Sequence, residues 1–156
     1  MMSLRSYPDG MDCVWIASDN ACNVGVFITS GIGPIPVQSL SVDVLNIEDI
    51  EEILYRLPHI SSCHLLVSMK RPDDFIELSE RGFFVYDWCD IHRIKKDYSN
   101  AYELIAIPSN PIKLNDLPEI LIKTIYNIDF NDLIFIEEKK LDVTSRFECL
   151  AGGWWE

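Results

Sequence analysis

Four side chains able to carry nucleophilic, acid–base or metal chemistry fall within six residues: Asp87, Cys89, Asp90 and His92, in Tyr86-Asp87-Trp88-Cys89-Asp90-Ile91-His92-Arg93. A thiolate beside an imidazole and carboxylates supplies a nucleophile with its base, or part of a metal site. The run follows Phe83-Phe84-Val85, which reads as a strand, and strand ends often lead into functional loops. On an extended strand end, residues 87 and 89 share one face while 90 and 92 share the other, so the four converge only if the chain turns. Two readings follow: a small cysteine-dependent enzyme using Asp87, Cys89 and His92, or a solvated strand end with one buried Cys.

His59 and Cys63-His64 are also of metal-ligand type, but no second pair stands at ligand spacing, so no metal and no cofactor is expected. Gly31-Ile32-Gly33-Pro34 lacks the Lys of a phosphate loop, and Pro34 removes an amide that would bind an anion, so the stretch reads as a turn. Ser18, Ser30, Ser68 and Ser79 have no G-x-S-x-G context, which leaves serine nucleophile chemistry unsupported.

Charge points to a partner instead. The formal net charge is -12 on 156 residues. Such an excess speeds encounter with basic partners and repels nucleic acid and anionic membrane. Residues 1 to 90 hold fourteen Asp and Glu against five Lys and Arg, whereas residues 91 to 156 hold eleven against eight. The densest stretch is Glu48, Asp49, Glu51 and Glu52, followed by Asp73, Asp74, Glu77 and Glu80. Either run alone also fits a solvated helix face. Trp154 and Trp155 near the chain end are of the type enriched in interface hot spots, and equally suit a lid on the core.

At this length one core is enough. Hydrophobic residues make up 48% and aromatics 11%, too apolar for a disordered acidic tail. No apolar run approaches the roughly 20 residues of a membrane helix, and Met1 to Pro8 lacks the apolar stretch of a secretory signal, so the expected location is the cytoplasm. The five cysteines are odd in number and never spaced C-x-x-C, which predicts mostly reduced core thiols.

These candidates need elements to hold them. Asp12 to Ser18 and Val24 to Thr29, joined by Asp19-Asn20, predict a hairpin, and Val37 to Leu45 a third strand. Ile47, Ile50, Ile53, Leu54 and Leu57 recur at helical spacing and stop at Pro58. Cys63 to Met69 reads as a buried strand, and a short helix runs from Pro72 through Glu80 to Gly82. Phe83 to Trp88 and Ala101 to Ile107 predict strands. Asp116 is an N-cap candidate for a helix carrying Leu117, Ile120, Leu121, Ile125 and Ile128. Leu133 to Ile136 and Val143 to Cys149 read as final strands. The expected architecture is one α+β domain over residues 1-156, a mixed and mostly antiparallel sheet with two or three helices.

Met11-Asp12-Cys13-Val14-Trp15-Ile16-Ala17-Ser18, Thr29-Ser30-Gly31-Ile32-Gly33-Pro34-Ile35-Pro36, Arg81-Gly82-Phe83-Phe84-Val85-Tyr86-Asp87-Trp88 and Tyr102-Glu103-Leu104-Ile105-Ala106-Ile107-Pro108 resemble segments of small bacterial immunity proteins encoded beside polymorphic toxins and contact-dependent growth inhibition systems. The resemblance spans about the first two thirds of the chain and carries no binding residue across. It implies a non-enzymatic cytoplasmic inhibitor of a cognate toxin. A nuclease toxin needs a basic cleft, and an acidic protein can occupy it by presenting carboxylates where phosphates would lie. The expected partner is therefore a basic toxin domain, met by Glu48, Asp49, Glu51, Glu52, Asp73, Asp74 and Glu77, with Trp154 and Trp155 as anchors. A non-enzymatic adaptor module without a toxin is the remaining alternative.

Overall fold

The computed structural model describes residues 3–88 and 101–152. Strands β1 (Val14–Asp19) and β2 (Val24–Ile28) form the expected antiparallel hairpin, with Trp15 opposite Phe27. Asp19 closes it, accepting hydrogen bonds from the Ala21 and Asn23 amides at 2.9 Å each. The chain then passes through β3 (Ile35–Pro36), α1 (Ile47–Tyr55), β4 (Cys63–Leu65) and α2 (Asp73–Ser79) to reach β5 (Phe84–Asp87). β6 (Tyr102–Pro108), α3 (Glu119–Ile125), β7 (Asp129–Phe130), β8 (Lys140–Leu141) and β9 (Cys149–Leu150) complete it.

The main sheet runs β4-β6-β5-β2-β1-β7, with β8 also on β6, and β3 pairs β9 separately. β2 and β5 are parallel, as are β1 and β7, and the remaining pairings are antiparallel. This is the expected α+β fold with a mixed, mostly antiparallel sheet and three α-helices.

Aromatic rings stack across the strands. Trp15, Phe27 and Tyr86 lie nearly parallel, with centroids 4.1 Å and 4.8 Å apart, and Phe135 and Tyr102 meet Phe27 edge-on. Each ring adds contact beyond its buried area. Because side chains alternate along a strand, Val14, Ile16, Val26, Val85 and Asp87 point to the opposite face. α1 packs against β1 and adds Ile47, Ile50 and Leu54 to the core.

Several segments differ from expectation. Val37 to Leu45 forms a 3-10 turn at Val37–Leu40 rather than a strand; Ser41 then makes an isolated antiparallel bridge to Leu4, and the Arg5 side chain donates to the carbonyls of Ser41 (2.6 Å) and Val44 (3.0 Å). β4 is a half-buried three-residue edge strand, not a buried strand to Met69. Asp116 ends a 3-10 turn, and Pro118 stands at the N-cap of α3. Leu133 to Ile136 is no strand, since side chains take its backbone: the Phe135 amide donates to Asp19 at 2.9 Å and the Tyr86 hydroxyl to the Phe135 carbonyl at 3.0 Å. Val143 to Cys149 opens with a 3-10 turn held by Asp142, and only Cys149 enters β9. Of the described cysteines, Cys13 is buried in the core, Cys63 and Cys149 are half-buried against it and Cys22 is exposed; all four are free. Cys89 lies outside the described residues.

Candidate functional site

The acidic helices are built so that their carboxylates remain outward. Asn46 caps α1, its side chain accepting the Glu48 amide at 3.0 Å. With Ile47, Ile50 and Leu54 committed to the core, Glu48, Asp49 and Glu52 are exposed and Glu51 is half-buried. Glu48 and Asp49 occupy the first turn, where the helix dipole favours negative charge. In α2 the buried residues are Leu78 and Ser79, which leaves Asp73 and Asp74 exposed in the first turn.

The fold brings part of both runs together, and adds Asp12, which leads into β1. The Asp12 carboxyl is held above its ordinary value by burial, opposed by the Ser30 amide at 2.9 Å and reinforced by the Asp74 charge. Glu51 is raised by burial and then by the charges of Asp12 and Asp74. Asp12, Glu51 and Asp74 therefore belong to one electrostatic neighbourhood spanning the start of β1, α1 and α2. Glu48 borders it, acting with Asp12 and Glu51 on the Cys13 thiol, which burial pushes up first. Like charges are gathered here against their own repulsion. Asp49 and Asp73 are exposed, and Glu52 forms a surface ion pair with Arg56 at 2.7 Å.

Glu77 has a different role. Its carboxylate lies 2.8 Å from Arg81, which holds it below the ordinary range, as does His59 at 3.1 Å. The Arg81 guanidinium, 8% exposed in its side chain, also donates to the carbonyls of Leu57 (2.9 Å), Tyr55 (2.9 Å) and Glu77 (2.8 Å). It lies over the Tyr55 ring, 5.3 Å from its centroid. Arg81 thus satisfies carbonyls at the end of α1 and joins them to α2. His59, Glu77 and Glu80 place donor atoms within 4.8 Å of one another, a span that a divalent ion could bridge. Arg81 already holds Glu77 Oε1 and stands 3.3 Å from His59 Nε2, so the group is an ion-pair network with a fixed cation of its own. His64 is exposed on the edge strand β4.

Of the first cluster read from the sequence, Asp87 is the last residue of β5, 8% exposed and in register with Glu103 of β6. It accepts a hydrogen bond from the Ser30 hydroxyl at 3.2 Å. Cys89, Asp90 and His92 lie outside the described residues, as do Trp154 and Trp155. Ser30 thus bridges Asp12 and Asp87 from a left-handed backbone conformation, φ 53°, that a non-glycine residue adopts only when its surroundings hold it there.

A cavity of about 980 Å³ opens at this end of the sheet, where the parallel strands β2 and β5 finish and β6 begins. Open α/β sheets tend to bind ligands at such strand ends. Apolar walls come from Val67, Met69, Phe75, Trp88 and Ile105, and carboxylates from Asp12, Asp87 and Glu103. Lys70 and Arg71 stand on the same lining. Neither Asp12 nor Glu103 has a local signal in the sequence, since each is a lone carboxylate whose neighbours come from distant segments. Among the described residues no helix is long and apolar enough to cross a membrane. Comparison with known families, curated proteins and solved structures finds no match to this chain.

Proposed function

We propose that this protein is a cytoplasmic immunity protein that binds and neutralises a cognate toxin domain, a nuclease, through the acidic surface of α1 and α2. The observation that carries this reading is the outward presentation of Glu48, Asp49, Glu52, Asp73 and Asp74 on α1 and α2, whose apolar residues are committed to the core. A basic partner would be attracted to these exposed carboxylates. The overall charge of -12 adds long-range steering, effective over about 8 Å at physiological salt. The resemblance noted in the sequence supports the same class of partner.

The protein's part in this is binding and occlusion, with no bond made or broken. Carboxylates on the outer faces of α1 and α2 steer a basic cleft into place, and the polyanionic substrate is thereby excluded.

Affinity capture from the source cells should yield one basic protein at equal stoichiometry. Reversing Glu51, Glu52 and Asp74 to Lys should slow association about tenfold at low salt and flatten its salt dependence, with the fold intact by circular dichroism. A tight companion that is anionic, or turnover of a small molecule by the purified protein, overturns the reading.

A further inference from the structure

We draw no further inference here: the strongest candidate, the cavity at the ends of β2 and β5, carries Lys70 and Arg71 beside Asp12 and Glu103 on one apolar lining, so nothing in the structure selects what it would hold.

Discussion

Arg81 donates to Glu77 twice, from one nitrogen to its main-chain carbonyl and to its carboxylate, both at 2.8 Å. The pair closes the turn after α2 and, through the Tyr55 and Leu57 carbonyls, fastens α1 to it. Arg81→Ala should cost about 3 kcal/mol in urea unfolding, because it leaves several partly buried acceptors without donors. Arg81→Lys should recover little of this, since an ammonium lacks the planar fork that spans three segments. Glu77→Gln should cost much less, its carboxylate being half exposed.

The acidic neighbourhood has a pH signature. Asp12 and Glu51 titrate above their ordinary values of 3.8 and 4.5, so the folded chain holds these protons more tightly than the unfolded one. Stability therefore falls as pH rises through the window above those values, and the cost is fully present at neutrality. Glu51→Gln should unfold about 2 °C higher than the natural protein at pH 7, and the advantage should vanish toward pH 4. A constant difference across that range in thermal melts would remove the electrostatic explanation.

Asp19 organises the sheet's other end. Its carboxylate accepts the amides of Ala21, Asn23 and Phe135 at 2.9 Å each and the Asn23 side chain at 3.2 Å. Asp19→Ala should lose about 3 kcal/mol in chemical denaturation, and Asp19→Asn nearly as much, because an amide group turns one acceptor into a donor facing donors. Hydrogen exchange at Asn23 and Phe135 should accelerate in both.

Gly33 and Tyr102 are predicted to couple. A Cβ on residue 33 would stand 2.6 Å from the Tyr102 hydroxyl and 3.0 Å from the Thr29 carbonyl. That hydroxyl accepts the Trp15 indole at 3.1 Å and donates to the Pro34 carbonyl at 2.8 Å. Gly33→Ala and Tyr102→Phe should each cost about 2 kcal/mol, by overpacking and by stranding two buried groups respectively. The double variant should lose less than the sum, because removing the hydroxyl relieves the closest clash.

The legible parts of the chain were those with a period or a turn residue of their own. Alternation around Asp19-Asn20 was sufficient for the hairpin, and Ile47, Ile50 and Leu54 for α1. Leu133 to Ile136 differs from expectation because it is apolar without being a strand: its backbone is claimed by Asp19 and Tyr86, over a hundred and about fifty residues away. The same limit applies to the site. Acidic residues on α1 and α2 can be listed from spacing, but their meeting with Asp12, and the pairing of Asp87 with Glu103, arise only from strand order. Glu77 illustrates the converse, a surface charge by position whose carboxylate is already taken by Arg81.

Both acidic helices leave the sheet after β2 and return beside it at β5, pinned midway by the three residues of β4. Because that excursion is held through the buried faces of α1 and α2, its outward side chains can be exchanged while every neighbour relation among the central strands persists.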